Sequence, residues 1–420
     1  MRSLAVILIR GLASSSGVAS KMRVCLWIAL AFSCSYTFIG ISLHQNNEKF
    51  TLSALSRGQR WISMKRELSE NISQPTLYTC SHPWLLGRLG KDLFPEYNQE
   101  PLLEADPALY TEQDIIISHP GFNCDNKMLN GHPDLRTSLK KSNWNFPGKI
   151  LYINGESYMD PRGTLDYHLG HLPDSDRSIR VFWVFISFLY GPSSYYPSDV
   201  ISQIYQTRRS PIKTIRGVLQ PPKKKYFLIY AASNCKMHRE AAFDALTHVN
   251  TVHYAGACHG LLPKNEKVQP APKMEKFSRA QQGNNRALFE DYRYCLVMEN
   301  KKVDGYISEK ILTAFFSGCV PIWYGTTEIF DLFNKESFIY YDVDHPWVAI
   351  NKIKDLEANP SKYEEMLMQP ILAHGADTVN KYMSFGSGIG NGELRKRIHN
   401  MMGLPGVLNH SELEDQKEID

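Results

Sequence analysis

Tyr294-Cys295-Leu296-Val297-Met298-Glu299-Asn300, followed after a loop by Tyr306-Ile307-Ser308-Glu309-Lys310 and then by Ile311 to Phe316 and Gly318, reads as strand, loop, helix and stop. Tyr294 to Met298 is the short apolar run of a buried parallel strand, and polar Glu299-Asn300 mark its carboxyl end. Ser308 is suited to cap a helix whose residues Ile311, Leu312, Phe315 and Phe316 share one face, and Gly318 is placed to end it. Val320-Pro321-Ile322-Trp323-Tyr324 then starts a second strand, completing a βαβ unit. Ligands of open α/β sheets bind at the carboxyl ends of the strands. Lys310 falls in the helix's first turn, where the helix dipole disfavours a cation; a bound phosphate would relieve the conflict.

Working outward, Tyr226 to Ala232 reads as another buried strand, with Ser233-Asn234-Cys235 as its exit and Arg239 at the opening of a helix. Arg239 is thus a second cation at a strand-to-helix junction, with a guanidinium that can grip phosphate oxygens in pairs. Asp114 to Ser118 and Lys149 to Asn154 are strands of an earlier α/β region, and Gly155-Glu156-Ser157 follows the second of them. Arg180 to Tyr190 is apolar core, and Leu261 to Gln282 is a loop over the site. Phe338 to Tyr341 is a last strand, ending in Asp342-Val343-Asp344, and Asp355 to Met368 is a helix. The segment Arg208 to Lys225, rich in proline and lysine, has the composition of a linker.

The ordered series Glu299-Asn300, Gly305 to Ile311, Gly318, Val320-Pro321-Ile322 and Gly325 resembles the signature of glycosyltransferase family 10, the α-1,3/4-fucosyltransferases. The resemblance runs from about Lys149 to Asp344. It implies a GT-B type α/β fold, two Rossmann-like domains facing a cleft, and it implies GDP-fucose as the donor. Residue by residue, it assigns Arg239 to the diphosphate, Asn300 and Tyr306 to phosphate or ribose, Glu309 to the ribose hydroxyls, Lys310 to phosphate, and Glu156 to the catalytic base. Leu165-Asp166-Tyr167 matches the patch that follows that glutamate in the family. The implied reaction is an inverting transfer of L-fucose to a hydroxyl of N-acetylglucosamine in glycoprotein glycans, α-1,3 in linkage, with no metal site and no required cofactor. Two alternatives stand beside it: a metal-dependent GT-A transferase using Asp342 and Asp344, and a non-catalytic glycan-binding pseudoenzyme.

The rest of the chain bounds this reading. Its 420 residues suffice for two cores of ~150 residues each. A formal charge of +4 gives no argument for nucleic acid. Val24 to Leu43 is uncharged and apolar over 20 residues, with Arg2, Arg10, Lys21 and Arg23 before it. That is the pattern of a single-pass signal anchor with its amino end cytoplasmic, a cleaved signal peptide ending near Ala29-Leu30-Ala31 being the alternative. The expected organisation is a tail at 1–23, an anchor at 24–43, a stem at 44–76, an acceptor domain at 77–215, a donor domain at 216–375, and a closing segment at 376–420 with an acidic disordered tail. Type II insertion would place the catalytic part in the Golgi lumen, where six cysteines beyond the anchor suit an oxidising compartment. Their pairing is open, and Cys295 and Cys319 read equally well as buried thiols. Asn71 and Asn409 head glycosylation triplets. The expected partners are GDP-fucose, a glycan acceptor and the membrane.

Overall fold

The structure is a computed structural model, and it describes residues 74–79, 83–101, 110–119, 146–155, 166–191, 213–215, 218–220, 223–262, 266–277, 285–386 and 388–404. Residues 24–43, Glu156, Asn71, Asn409 and the acidic tail lie outside them. Among the described residues no helix is long and apolar enough to cross a membrane.

The first half is built on β1 (Thr76–Thr79), α1 (Pro83–Leu93), β2 (Asn98–Pro101), β3 (Ile115–Ser118), β4 (Lys149–Ile153), β5 (Tyr167–Gly170), β6 (Ser178–Arg180) and α2 (Trp183–Tyr190). Its six strands form one sheet in the order β2-β1-β3-β4-β5-β6, parallel throughout. The stretch before Gln113, where the sequence offers no clear periodicity, supplies β1, α1 and β2. These strands are only four residues long, too short to show a period.

A hairpin of β7 (Lys213–Ile215) and β8 (Val218–Gln220) occupies the expected linker. The second half follows with β9 (Tyr226–Ala232), α3 (Met237–Leu246), β10 (Val252–Gly256), β11 (Val268–Pro270), α4 (Arg286–Phe289), β12 (Tyr292–Leu296), α5 (Lys310–Phe316), β13 (Val320–Trp323), α6 (Ile329–Leu332) and β14 (Ile339–Tyr340). Four helices close the chain: α7 (Pro346–Ala358), α8 (Pro360–Met368), α9 (Ala376–Tyr382) and α10 (Glu393–Met401). The second sheet is also all parallel, in the order β11-β10-β9-β12-β13-β14. Counted along the chain this is 3-2-1-4-5-6, the doubly wound order, whose ligand crevice opens where the winding reverses, between β9 and β12.

The expected βαβ unit is present as β12-α5-β13, with Tyr294 opposite Val320 and Leu296 opposite Ile322. Several expectations change: the stretch Leu261 to Gln282, expected as a loop, contains β11 at the sheet edge. The region Asp355 to Met368 is not one helix: Asn359 leaves the helical region at φ −128° and ψ 84°, because the following Pro360 cannot continue the hydrogen-bond ladder, and α8 starts afresh. Ser308 does not cap α5; Glu309 occupies that position, and the Ser308 side chain is engaged elsewhere.

The apolar run at 183–190 forms α2, a helix buried on nearly every side. Phe188 stacks on Phe316 of α5 at 5.5 Å, and Phe185 lies against Phe333 at 6.0 Å, so α2 joins the cores of the two halves. The last described helix does the same. From α10, His399 donates to the Leu93 carbonyl at 2.5 Å, and Arg397 pairs with Asp174 at 2.6 Å.

Disulfides join Cys235 to Cys258 and Cys295 to Cys319. The second ties the residue before β13 to β12, inside the core, so these are not thiols. The double variant Cys295→Ser/Cys319→Ser, which opens a loop of 24 residues' separation, should lower unfolding free energy by about 2–4 kcal/mol in a urea titration. An unchanged midpoint would show that the bridge adds nothing to the packed core.

Candidate functional site

Glu299 follows β12 and is wholly buried. A carboxylate cannot keep its charge there without several donors, and it has them. The Ser308 main-chain N–H donates to Oε1 at 2.7 Å and the Ser308 hydroxyl at 2.8 Å, while Lys310 Nζ reaches Oε2 at 3.1 Å. Lys310 also donates to Ser308 Oγ at 2.6 Å. The backbone of Glu299 is used as fully: its N–H donates to the Tyr324 carbonyl at 2.8 Å, and its own carbonyl accepts from His238 Nε2 at 3.0 Å. The conflict between Lys310 and the helix start is therefore met first by Glu299. Burial pulls the Lys310 ammonium down, but the carboxylate of Glu299, helped by Tyr306 and Glu309, outweighs it, and the side chain is held well above its ordinary range.

Across the switch point, Arg239 of α3 is 4% exposed. Its NH1 donates to the Asn234 carbonyl at 3.3 Å and its NH2 to the Met298 carbonyl. Its Nε is buried without an acceptor, and among the described residues no carboxylate lies within ion-pair distance. Burial lowers its pKa, partly offset by Glu299, Tyr230, Tyr306 and Glu240. His238 is pushed down as well, mainly by burial, which favours neutral imidazole. It packs on Tyr324 with ring centroids 4.7 Å apart.

Arg239, Asn300 and Lys310 line one pocket of about 250 Å³, together with Ser233 and Asn234 at the exit of β9. Phe277, Phe289 and Asn285 also lie on its wall. Three of the five expected donor-site residues thus share a cavity. Tyr306 and Glu309 are buried and bear on Lys310 electrostatically, but they do not form the wall. The position proposed for the base, Glu156, lies outside the described residues; the preceding Asn154 and Gly155 are buried at the carboxyl end of β4.

Sequence reading passed over Glu299 as a strand end, although a carboxylate just past the carboxyl end of the first strand of a βαβ unit, facing a loop that carries a serine and a lysine, was the available signal. It also gave no role to Phe277, Asn285 or Phe289, which come together only through folding. Asp342 of the acidic triplet is exposed and engaged locally: its Oδ1 accepts from the Asp344 N–H at 3.0 Å and its Oδ2 pairs with His345 at 3.1 Å. Its pKa is lowered, first by the Asp344 N–H and then by His345. The one group of potential metal ligands among the described residues is Cys235, Glu240 and Cys258, whose two sulfurs are bonded to each other. Glu240 there fixes the next loop, accepting from the N–H groups of His259 at 3.1 Å and Gly260 at 2.7 Å.

Residues 221–368 match the family described as glycosyltransferase family 10 (fucosyltransferase), C-terminal part. The chain is 30% identical over 150 residues to the α-(1,3)-fucosyltransferase FucT of Helicobacter pylori, a match covering 35% of this chain and 28% of that protein. It is 25% identical over 146 residues to GDP-fucose protein O-fucosyltransferase 3 of Gallus gallus, covering 33% of this chain and 29% of that one. The matches thus span less than a third of either curated relative. Among solved structures, an α1,3-fucosyltransferase with GDP-fucose aligns over 80% of this chain and 93% of its own, at 17% identity and a TM-score of 0.48.

Replacing Glu299 with Gln leaves the Lys310 ammonium facing a neutral amide in a largely buried site. The variant should lose about 2–3 kcal/mol of stability by urea denaturation. A loss below about 0.5 kcal/mol would mean that Ser308 and Lys310 do not depend on the carboxylate charge.

Proposed function

We propose that this chain, in which residues 221–368 form a family 10 fucosyltransferase C-terminal domain, transfers L-fucose from GDP-β-L-fucose to a hydroxyl of N-acetylglucosamine in glycoprotein glycans, with α-1,3 linkage. The observation that carries the donor half is Arg239. A guanidinium so buried, held by two main-chain carbonyls and, among the described residues, by no carboxylate, is costly unless an anion reaches it. It shares its pocket with Lys310, at the point where a doubly wound sheet binds nucleotides. A diphosphate supplies the missing counter-charge.

Two parallel sheets, the second of dinucleotide-binding order, support a GT-B arrangement, with residues 77–215 taking the acceptor and 216–375 the donor. Glu156, two residues beyond Asn154, takes the proton from the acceptor hydroxyl. The freed oxygen attacks the anomeric carbon opposite the phosphate, the bond from that carbon to the β-phosphate oxygen breaks, and GDP departs with inversion. Arg239 and Lys310 meet the charge that develops on the diphosphate. Asn300, on the pocket wall, and Tyr306, which bears on both cations, are assigned to phosphate or ribose, and Glu309, which bears on Lys310, to the ribose hydroxyls. With two cations in this role, no divalent metal is needed for the chemistry, and the Asp342 and Asp344 turn is read as structural. Two disulfides fit the lumenal, single-pass type II placement in the Golgi inferred from residues 24–43.

Arg239→Ala should weaken GDP binding by about tenfold or more in calorimetry. Glu156→Ala should leave that affinity nearly unchanged while lowering turnover by about 10²- to 10⁴-fold. Unaltered GDP affinity in the arginine variant, or full activity in the glutamate variant, would remove the respective assignment. Transfer to a defined glycan should continue in EDTA. Loss of activity that is restored by a divalent ion and abolished in Asp342→Asn would establish the metal-dependent alternative.

A further inference from the structure

The segment Gly305 to Lys310 carries three of the five residues assigned to the donor, and it is gripped from the other half of the molecule. Gly305 has φ +74°, and a β-carbon there would stand 2.4 Å from the His171 carbonyl oxygen and 2.8 Å from His171 Cα. His171 follows β5 of the first sheet. Two residues on, the Ile307 carbonyl accepts from the Val184 N–H at 3.0 Å, at the start of α2. The Gly305 N–H itself donates to Glu328, just before α6. Glu328 also accepts from the Thr326 hydroxyl at 3.2 Å and forms an ion pair with Arg180, the last residue of β6. One carboxylate thus joins the edge of the first sheet to the donor segment of the second.

We propose that Arg180 and Glu328 are positioning residues: acting through Gly305, they hold Tyr306, Glu309 and Lys310 at the nucleotide pocket and tie donor binding to the seating of the first sheet. This rests on reading the pocket as a site for a nucleoside diphosphate sugar. Both side chains are 22% exposed, so the pair is mostly buried and its removal also costs some stability, which is why melting temperature is read beside affinity. The Gly305 bond fixes the entry to α5, and small misplacements of a binding group cost affinity out of proportion to the stability lost. Glu328→Gln keeps an acceptor for the Gly305 N–H and removes only the charge, whereas Glu328→Ala removes both contacts. Arg180→Met removes the ion pair from the other side.

The test is calorimetric titration of the full chain with GDP, together with KM for GDP-fucose, kcat and melting temperature for each variant. Glu328→Ala should bind GDP about tenfold more weakly, with a raised donor KM and a melting temperature within a few degrees of the parent. Glu328→Gln and Arg180→Met should show smaller losses, about threefold and equal to each other. Their combination should be no worse than either alone, because both remove one contact. If the parent binds GDP and all three single variants bind it equally well, the positioning role is wrong. Additive losses in the combined variant would also overturn it. Should Glu328→Ala fail to fold, the Gln and Met variants decide the matter by the same criteria. If the parent itself does not bind GDP, the donor reading fails first and this inference falls with it.

Discussion

A carboxylate with no solvent exposure organises the second half of this protein. Ionised Glu299 loses its hydration entirely, a cost of several kcal/mol unless donors replace the water. Those donors come from Ser308 and Lys310, so the loop between β12 and α5 must return to the end of β12. The main-chain groups of the same residue bind Tyr324 beyond β13 and His238 at the start of α3. Four elements are therefore registered on one residue at the carboxyl edge of the sheet. This is also why Lys310 can remain charged beside a helix start while lining the pocket.

Electrostatics and topology agree about where an anion would bind. The winding of the second sheet reverses between β9 and β12, and the segments that follow those two strands supply Arg239 and Lys310. The two cations differ in how they are held. Lys310 has a carboxylate partner, whereas Arg239 is fixed by carbonyl oxygens, which orient a guanidinium without cancelling its charge. Such a group is set before any ligand arrives, and little reorganisation is needed when negative charge develops next to it.

The two halves are joined by packing as well as by charge. α2 is buried between them through Phe185 and Phe188, and α10, far along the chain, bonds the carbonyl of Leu93. Each fully buried large side chain contributes about 1.5–3 kcal/mol, so the aromatic contacts outweigh the peripheral ion pairs in holding the arrangement. Polar contacts such as Arg180 with Glu328 add direction, fixing the segment from Gly305 to Lys310 against the edge of the first sheet.

The βαβ unit around Glu299 was legible in the chain itself, because buried parallel strands are short apolar runs and a helix of this kind declares its inner face by residues three and four apart. Lys310 and Arg239 were legible for the same reason: their sequence positions after strands put them at one sheet edge once the strands are parallel. What the chain could not show was decided by contacts between residues far apart in sequence. Neither the buried partnership of Glu299 with Lys310, the bonding of Cys295 to Cys319, nor the clustering of Phe277, Asn285 and Phe289 at the pocket leaves a local period. Ser308 looks like a helix cap by composition, yet a buried carboxylate is a more demanding acceptor than exposed helix N–H groups, and it takes the hydroxyl. Sequence settles where polar groups leave the sheet; only the tertiary structure settles which of them must satisfy one another, because that choice is made by burial.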